Sequence, residues 1–382
     1  MPLIYLIAGE ASGDVLGGRL IAALRAARPE LEFAGIGGEA MAQAGMKSLF
    51  PIQELSLMGL LEVLPNIPRL HRRLRQTVTE IAARRPQAVV TIDSPGFTLR
   101  VLRAIAPLGI PRAHYVAPQA WAWRENRVKR FPGLWESLLC LLPFEPAFFA
   151  RHGLKAKFVG HPVLESGADT GDAARFRDKF AIAADRRVIT LMPGSRTTEV
   201  GRLLPVLAET MVLLADRVPG LVPVVPVAAP VAQAVLDATS AWPICPIVVT
   251  TPRDKHEAFA ASAAALTKSG TSTLELALAG VPMLVTYRVN PITAAIARRL
   301  VKVKYASLVN LLAAREVVPE LIQERSRPDL LAAMLAELLT DPAAASRQKD
   351  AFRVVMDSLR PPEGLPSQAA AREILTLLDQ PR

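Results

Sequence analysis

The stretch TLMPGSRTTEV, residues 190–200, contains an apolar strand that stops at a Pro-Gly-Ser-Arg turn, after which a helix is predicted to begin near Glu199. In such a turn Gly194 lets a ligand approach the backbone closely, and the first free amides of the helix point outward. Arg196 adds a guanidinium that can hold phosphate oxygens at two points. These features favour a diphosphate site formed by Gly194, Ser195 and Arg196. The same residues fit equally well a plain turn in which Ser195 caps the helix and Arg196 is solvated.

Units of this strand-turn-helix kind recur along the whole sequence. Short β-rich runs alternate with helical patterns, which is typical of parallel sheets covered by helices on both faces. The fold class is therefore predicted to be α/β, with two Rossmann-like doubly wound domains. The predicted strands are Leu3–Ala8, Glu32–Ile36, Ala88–Ile92, Arg112–Val116 and Ser137–Leu142 in the first half, and Val188–Met192, Leu221–Val227, Ile247–Thr250, Ala264–Thr267 and Met283–Tyr287 in the second.

A break in this rhythm predicts the domain boundaries. Residues 160–172, GHPVLESGADTGD, lose periodicity and cluster Gly, Asp and Pro, as interdomain linkers do. We predict an N-terminal domain over residues 1–165, a C-terminal domain over residues 173–345, and a helical tail over residues 346–382 that packs on the N-terminal domain or on a partner subunit. Because parallel sheets bind ligands beyond the carboxyl ends of their strands, the two domains are expected to face each other across a cleft.

The composition narrows the class of protein. Of the 382 residues 51% are hydrophobic and 21% charged, so the chain can bury two cores and has no signature of disorder. Its 45 Lys and Arg residues against 35 Asp and Glu residues give a formal net charge of +10, which predicts attraction to phosphate groups. Aromatic residues are only 5% and no nucleic-acid-binding motif stands out, so no nucleic acid partner is expected.

Three features bear on the cellular compartment. Cys140 and Cys245 stand alone, so neither a disulfide framework nor a zinc site is predicted, and a reducing cytosol fits. The sequence begins with a strand rather than with an export signal. The longest uncharged run, residues 218–236, contains prolines that a membrane-spanning helix would not tolerate together. We therefore expect a cytoplasmic protein without a spanning helix.

A second strand-to-helix turn lies in KSGTSTLELALAGVPMLVTYR, residues 268–288. A strand ends at Ser269, Gly270 and Thr271, where small hydroxyl residues open a helix and can hold phosphate. Glu275 follows one turn inside, where its carboxylate could bind a ribose diol. The sequence has no GxxxxGK[ST] pattern, and no GxGxxG follows the first strand of either domain, so the two turns indicate a nucleotide pocket of another type. Glu275 also fits a structural role as an acid near a helix N-terminus.

The turns of the N-terminal half are acidic instead. AGEASGD, residues 8–14, is a strand-to-helix turn whose Glu10 and Asp14 would repel a phosphate, so sugar hydroxyls suit it better. In VVTIDSPGF an apolar strand places Asp93 at its end, where a carboxylate can act as a general base. An aspartate that only starts a turn, by hydrogen bonding to nearby amides, is at least as frequent in Asp-Ser-Pro.

Aromatic and basic residues follow the next strand, in YVAPQAWAWRENRVKRF, residues 115–131. Side chains of these types can line a pocket for a phosphorylated sugar. They also fit a basic helix whose tryptophans lie in the core. The residues concerned are Trp121, Trp123, Arg124 and Arg127.

Residues 48–76, SLFPIQELSLMGLLEVLPNIPRLHRRLRQ, combine large apolar residues with a cationic cluster. Apolar side chains that dip between head groups, beside arginines on phosphates, are how a protein lies on a bilayer. Periodicity alone favours another interpretation, a core helix with a solvated face. The residues concerned are the apolar Phe50, Leu57, Met58, Leu60, Leu61 and Leu64 and the cationic Arg69, His71, Arg72, Arg73 and Arg75.

Taken in order, the motifs of the chain resemble those of the lipid-A-disaccharide synthase family. They span nearly the entire sequence and are GEASGD (9–14), GIGGEAM (35–41), MGLLEVL (58–64), IDSPGF (92–97), YVAPQAWAWRENR (115–127), LLPFEP (141–146), FVGHP (158–162), PGSR (193–196), SGTSTLELAL (269–278) and SLVNLLAAREVVPELIQ (307–323). The resemblance implies a two-lobed GT-B architecture. It also implies an inverting glycosyltransferase that moves 2,3-diacylglucosamine from its UDP conjugate to the 6-hydroxyl of 2,3-diacylglucosamine 1-phosphate (lipid X), with no metal or other cofactor.

The resemblance also implies roles for residues of the N-terminal half. The family pattern Asp-Ala-Pro-Asp-Phe-Asn matches Asp93 but meets Gly96 where it has its second acid, so Asp93 is the predicted catalytic base. Family residues close to the reacting sugars match Glu10, Ser12 and Asp14. Glu10 and Asp14 are accordingly grouped with Asp93 as catalytic. The predicted acceptor-binding residues are Ser12, Trp123, Arg124 and Arg127.

For the donor and the membrane the resemblance adds further expectations. Positions near the donor match Asn310 and Gln323, which we expect on the nucleotide or diphosphate. Since both substrates carry acyl chains and no spanning helix is predicted, the resemblance favours peripheral docking on the cytoplasmic face of the inner membrane, and a homodimer is left open. The predicted docking residues are Leu57, Met58, Leu60, Leu61, Arg69, Arg72 and Arg73.

Two other functions are compatible with parts of the pattern. UDP-sugar 2-epimerases share the two Rossmann-like lobes and hold UDP in the C-terminal one, and such an enzyme would isomerise a UDP-sugar without an acceptor. The other is a non-enzymatic protein that binds nucleic acid or anionic membranes through its basic surface.

Overall fold

The computed structural model describes residues 2–55, 60–123, 125–228 and 231–380, and the side chains of residues 60–65, 291–292 and 295–297 lie outside this description. The chain divides into two compact units. Unit 1 comprises Met1–Pro162 and Leu359–Arg382, and unit 2 comprises Val163–Ser358.

The described residues of unit 1 form a parallel sheet of seven strands. The strands are β1 Leu3–Ala8, β2 Glu32–Ile36, β3 Lys47–Ser48, β4 Ala88–Ile92, β5 Arg112–Tyr115, β6 Ser137–Cys140 and β7 Lys157–Phe158. They lie in the order β3-β2-β1-β4-β5-β6-β7. The chain runs from β1 to β3 in one direction and then returns to β4 on the other side of β1. Such a reversal is where sheets of this kind bind ligands.

Helices cover both faces of the first sheet. They are α1 Ala11–Ala27, α2 Glu39–Gln43, α3 Leu60–Arg84, α4 Pro95–Ile105, α5 Ala120–Trp123, α6 Glu145–Ala150 and, at the end of the chain, α16 Pro366–Leu378, with 3-10 turns at Ile52–Glu54, Ala106–Leu108 and Glu125–Arg130. Alternate residues of β1 explain this arrangement. Ile4 and Leu6 pack in one apolar cluster with α1 and α16, and Tyr5 and Ile7 pack in another with α3 and α4. Both faces of the strand are therefore buried, as the continuous apolar run predicts.

Unit 2 repeats the plan, with six parallel strands among its described residues. They are β8 Arg187–Met192, β9 Leu221–Pro226, β10 Ile247–Val249, β11 Ser262–Lys268, β12 Met283–Tyr287 and β13 Glu320–Ile322, in the order β10-β9-β8-β11-β12-β13. The helices are α7 Ala173–Lys179, α8 Thr197–Ala215, α9 Ala232–Thr239, α10 Pro252–Ala261, α11 Ser272–Leu278, α12 Pro291–Leu300, α13 Leu308–Ala313, α14 Pro328–Thr340 and α15 Pro342–Ser358, with 3-10 turns at Pro162–Glu165 and Gln323–Arg325. The reversal falls between β8 and β11.

The α/β fold class and the two doubly wound sheets predicted from the sequence are confirmed. Each predicted strand is present; four of the ten have the predicted ends, and the ends of the other six differ by one or two residues. Strands β3, β7 and β13 were not predicted, because each is only two or three residues long and lies at a sheet edge, where no apolar periodicity develops.

The last two helices belong to different units. Helix α15 contacts α11, α13 and α14 within unit 2, whereas α16 packs on α1 in unit 1. Residues Ala370 and Ala371 let α16 approach α1 closely, and Arg28 forms an ion pair with Asp379 at its end. The structure therefore divides the segment 346–382 that the sequence analysis treated as one tail. The domain ranges themselves stay a prediction.

Candidate functional site

The candidate phosphate site of unit 2 lies at the reversal between β8 and β11. The two strands are hydrogen-bonded neighbours, with Met192 opposite Thr267. Because both strands are parallel, the turns that follow them lie side by side at one edge of the sheet. The structure thus brings together the two turns that the sequence analysis selected.

The Pro-Gly-Ser-Arg turn after β8 requires its glycine. Gly194 has a φ of +115°, and a Cβ at this position would lie 2.4 Å from Oε2 of Glu199. The backbone N–H of Ser195 donates to the same Oε2 at 3.3 Å. The side chain of Arg196 is 55% exposed, so its guanidinium is accessible to a ligand.

Two details of this turn correct the predictions. Helix α8 begins at Thr197 rather than near Glu199, and Arg196 is its N-cap residue, so Ser195 is not the helix cap. Glu199 instead occupies the third helical position, from which a carboxylate reaches back to free N–H groups of the turn. An acid at that spacing was the signal for the true start of the helix.

The turn after β11 is shaped by Gly270, which has a φ of +153°. The hydroxyl of Ser269 donates to the carbonyl oxygen of Ala306 at 2.6 Å, and Thr271 is the N-cap residue of α11. The predicted phosphate residues of this turn therefore lie next to the first turn, with the Ser269 hydroxyl already engaged within the protein.

A cavity of about 420 Å³ lies between these turns and the ends of β9 and β10. This volume is within the range of small-molecule sites. Four predicted residues line it, namely Gly194, Ser195, Thr271 and Glu275. The other lining residues are Met192, Pro226, Val227, Ala228, Val249, Thr250, Thr251, Pro252, Lys255, Lys268 and Ser272. Among the described residues, no group of His, Cys, Asp and Glu side chains is placed to hold a metal ion.

Two lysines of this cavity were not predicted from the sequence. Lys268 is the last residue of β11, and its Nζ lies 3.0 Å from Oε1 of Glu199. Lys255 lies on α10 and donates to Oε1 of Glu275 at 2.8 Å. The position of Lys268 directly before the Ser-Gly-Thr turn was a usable signal. Lys255 gave none, because only the tertiary packing of α10 brings it to the cavity.

Asn310 and Gln323, expected near the donor, are both engaged by the protein. Asn310 is fully buried; its Nδ2 donates to Val318 O at 2.7 Å and its Oδ1 accepts from the N–H of Val318 at 2.9 Å. Gln323 has a φ of +55°, and its Oε1 accepts from the N–H of Val289 at 3.1 Å. These contacts give Asn310 a structural role, since its amide is used to hold the loop before β13. Contacts of Asn310 and Gln323 with the donor both stay predictions.

Unit 1 has a candidate site of its own at the reversal between β1 and β4. Ala8 lies opposite Ile92, so Glu10 and Asp93 follow neighbouring strands at the same edge of the sheet. Asp93 and Ser94 both have left-handed backbones, with φ of +51° and +46°. Such conformations cost roughly 1–3 kcal/mol each, persist only where the surrounding structure fixes them, and cluster at active sites.

The environment of Asp93 suits a base. Burial raises the pKa of its carboxyl above the usual value, and a hydrogen bond from the backbone of Ser94 opposes that shift. The backbone N–H of Asp93 donates to the carbonyl oxygen of Tyr115 at 2.9 Å, which ties the turn to β5. A carboxylate with a raised pKa takes a proton more readily than an ordinary one.

The residues of the acidic turn after β1 differ in burial and in their contacts. Glu10 is the half-buried N-cap residue of α1, and Ser12 is exposed. Asp14 is buried, and its carboxylate accepts three backbone hydrogen bonds. The donors are Gly38 at 2.7 Å, Ala40 at 2.9 Å and Met41 at 3.1 Å. Asp14 therefore fastens the start of α2 to α1, a structural role that its sequence pattern did not show.

The aromatic and basic residues after β5 also differ in exposure. Trp123 and Arg127 are exposed, and Arg124 lies outside the described residues. The indole N–H of Trp121 donates to Glu145 at 3.0 Å, and burial raises the pKa of Glu145 to about 7, although hydrogen bonds oppose the shift. Trp121 thus fits the alternative of a packed tryptophan, whereas Trp123 and Arg127 remain accessible.

The predicted membrane segment is described only in part. Leu57 and Met58 lie outside the described residues, as do the side chains of Leu60 and Leu61 at the start of α3. Phe50, an apolar residue of the same segment that is not among the predicted docking residues, is 4% exposed and packs in the core on the α3 side of the sheet. No helix in the described ranges is long and apolar enough to cross a membrane.

The arginines of α3 differ in accessibility. Nε of Arg73 lies 2.7 Å and Nε of Arg69 2.9 Å from Oε2 of Glu54. These hydrogen bonds lower the pKa of Glu54 to about 2, and the bond from Arg73 has the largest effect. Arg73 also lies over the ring of Phe50, whereas Arg72 is exposed. Arg73 is therefore largely engaged by unit 1, and Arg72 is accessible to an external phosphate.

Two doubly wound units, each with a candidate site at its strand reversal, define the GT-B class of proteins. Comparison with solved structures agrees. The UDP-GlcNAc 2-epimerase from Neisseria meningitidis, bound to UDP-GlcNAc, has a TM-score of 0.62 at 14% identity, covering 94% of this chain and 99% of that one. The spinosyn rhamnosyltransferase SpnG, complexed with thymidine diphosphate, has a TM-score of 0.61 at 16% identity, covering 98% and 100%. At such identities the similarity shows the fold alone.

Sequence comparison then specifies the family. The lipid-A-disaccharide synthetase family model matches residues 4–374. The lipid-A-disaccharide synthase of Granulibacter bethesdensis is 59% identical, covering 99% of this chain and 99% of the relative. The chain therefore belongs to the lipid-A-disaccharide synthetase family and is a glycosyltransferase. This confirms the resemblance found in the motifs and limits the epimerase alternative to a likeness of fold.

Proposed function

We propose that the chain transfers 2,3-diacylglucosamine from UDP-2,3-diacylglucosamine to the 6-hydroxyl of lipid X, giving the β-1,6-linked disaccharide 1-phosphate and UDP. The observation that carries the proposal is the cavity of unit 2, which joins two strand-to-helix turns with cationic residues in a chain of this family. A diphosphate leaving group needs such surroundings, because negative charge develops on it as its bond to the sugar breaks.

The proposed reaction is a single displacement with inversion. The 6-oxygen of the acceptor attacks the anomeric carbon on the face opposite the diphosphate. The new carbon–oxygen bond forms as the old one breaks, and its electron pair leaves with UDP. The proton of the attacking hydroxyl passes to the carboxylate of Asp93, which the turn after β4 holds in place.

The remaining contacts are assigned by position. Residues of the two turns in unit 2 bind the diphosphate, and Glu275, which lines the same cavity, binds the ribose diol with Lys255 beside it. In unit 1, Glu10 follows the strand next to that of Asp93 and orients sugar hydroxyls. The diphosphate residues are Gly194, Ser195, Arg196, Ser269, Gly270 and Thr271, and the acceptor residues are Ser12, Trp123, Arg124 and Arg127.

One assay tests the proposed reaction. The full chain is incubated with radiolabelled lipid X and UDP-2,3-diacylglucosamine, and the labelled disaccharide should appear only when both substrates are present. The control omits the acceptor. Isomerisation of the UDP-sugar in that control, with no disaccharide in the complete mixture, would support the epimerase alternative and overturn the transfer.

Replacement of Arg196 by Ala is expected to weaken UDP binding about tenfold or more, since a hydrogen bond to a charged group is worth about 1.5–3 kcal/mol. Isothermal titration calorimetry with UDP measures the effect. Arg202→Ala is a matched control, because Arg202 is exposed within α8, beyond the Pro-Gly-Ser-Arg turn that contains Arg196. Equal UDP affinity in the Arg196 variant and the wild type would contradict the diphosphate assignment.

We further propose that unit 1 attaches the enzyme peripherally to the cytoplasmic face of the inner membrane, near the start of α3. Both proposed substrates carry acyl chains, so they reside in a bilayer. Ile67 is 48% exposed on α3 and Arg72 is exposed on the same helix, so α3 presents both an apolar and a cationic side chain to solvent.

Replacing Leu60 and Leu61 together with Ser is expected to reduce binding to anionic phosphatidylglycerol vesicles about tenfold or more, because each buried Leu contributes about 1.5–3 kcal/mol. Vesicle sedimentation measures the bound fraction, and UDP titration checks that unit 2 is intact. Val354→Ser serves as the control, since Val354 is 71% exposed on unit 2. Unchanged sedimentation of the double variant would refute this docking surface.

A further inference from the structure

We propose that Lys268 binds the diphosphate of the donor and that Glu199 is the residue that positions it. This inference rests on the proposed UDP site of unit 2. It adds a cation from β11 to the Arg196 guanidinium of the neighbouring turn.

Lys268 lies at the meeting point of the two turns. It ends β11, the strand next to β8, and its side chain lines the cavity together with Gly194 and Ser195. Its Nζ would be 3.6 Å from a Cβ at Gly270, so the ammonium also lies against the second turn. A group in this position can reach a ligand held by either turn.

Glu199 fixes the ammonium there. Its side chain is 6% exposed; Oε1 lies 3.0 Å from Nζ of Lys268 and 3.5 Å from a guanidinium nitrogen of Arg196. Oε2 accepts from the N–H of Ser195 at 3.3 Å. One buried carboxylate therefore ties both cations to the backbone of the first turn.

The charges favour a ligand rather than a closed ion pair. Arg196 and Lys268 bring two positive charges to a single carboxylate, so the cluster has an excess of one positive charge. An ammonium has three donors, and a bond to Glu199 leaves others available. Lys268 is 19% exposed, so these donors reach the cavity without a full loss of solvation. A diphosphate supplies the acceptors and the negative charge that the cluster lacks.

Calorimetric titration with uridine, UMP and UDP tests the assignment of Lys268. Lys268→Met should weaken UDP about tenfold or more and leave uridine unchanged, because only the phosphates lose a charged partner. Lys268→Arg should restore most of the affinity, which shows that the charge matters and that the fold survives. The control is Lys349→Met, which removes an exposed lysine of α15 that does not line the cavity.

A double-mutant cycle tests Glu199 as the positioning residue. Glu199→Gln keeps the shape and an acceptor for Ser195 but loses the ion pair, so it should weaken UDP severalfold when Lys268 is present. In the Lys268→Met background the same change should weaken UDP clearly less, since only the 3.5 Å contact of Glu199 with Arg196 is then lost. An equal weakening in both backgrounds would mean that Glu199 acts by supporting the turn, and would overturn its proposed role.

The outcomes separate this inference from the function on which it rests. If the wild type binds UDP and Lys268→Met binds it equally well, the role of Lys268 is wrong and the proposed donor site stands. If Lys268→Met weakens uridine as much as UDP, the effect is not on the phosphates and the inference is also wrong. If the wild type does not bind UDP at all, the proposed site and the inference fail together.

Discussion

Replacing Asp93 with Asn is expected to lower kcat by about 10²–10⁴-fold, the range that a general base contributes, while UDP affinity stays at the wild-type value. Asparagine has nearly the same size as aspartate but cannot take the proton of the acceptor hydroxyl. The substitution should therefore remove the chemistry and leave the donor site in unit 2 intact. The measurement is the rate of disaccharide formation at saturating substrates, with UDP titration in parallel.

The pH dependence of the wild type provides a second readout. Because burial raises the pKa of Asp93, kcat/KM should fall on the acid side at a higher pH than an ordinary aspartate would give, and this limb should be absent from the residual activity of Asp93→Asn. Asp379→Asn is a control, since Asp379 is exposed at the end of α16 and pairs with Arg28. Full activity in Asp93→Asn would exclude Asp93 as the base and direct attention to Glu10.

The turns of both sites could be predicted because their signals are local. Glycine marks a backbone conformation wherever it is required, and Gly194 and Gly270 both have positive φ in the structure. Asp93 lies at the end of its strand, as the apolar run before it predicts. The fold class could be predicted for the same reason. A long strand that is buried on both faces has a continuous apolar run in its own sequence.

The contacts of individual side chains could not be predicted in this way. Glu10 and Asp14 are acids of one turn, yet only the fold brings the amides of α2 onto Asp14. Phe50 is a large apolar residue in a segment with basic residues, as a membrane contact would be. It packs instead in the core beside the sheet, with Arg73 over its ring. Asn310 matches a donor position by sequence, and its amide holds a loop. Each of these outcomes depends on residues distant in sequence, which a local pattern does not encode.

Replacement of Gly9 by Ala tests whether Asp93 is placed by the packing of the turn after β1 against the turn after β4. A Cβ at Gly9 would lie 2.3 Å from Oγ and 2.4 Å from Cβ of Ser94, the residue after Asp93. Rotation of the serine side chain can move its Oγ but not its Cβ, so the turn itself has to shift. A shift that misplaces a reacting group by about 1 Å can lower the rate about 10²-fold. We expect a loss of that order in kcat, with UDP affinity unchanged.

A second substitution should reverse the loss. Ser94→Gly removes both atoms of the clash and leaves only the Cα, 3.9 Å from the new Cβ, and its φ of +46° suits glycine. The double variant Gly9→Ala, Ser94→Gly should therefore recover most of the activity that Gly9→Ala alone loses. Gly96→Ala controls for general sensitivity of the region, since a Cβ there meets nothing within 4 Å. If Gly9→Ala is fully active, the contact between the turns does not position the base. If the double variant remains as inactive as the single one, Gly9 acts by some means other than room for Ser94, and the geometric explanation of the Asp93 turn fails even if Asp93 itself is the base.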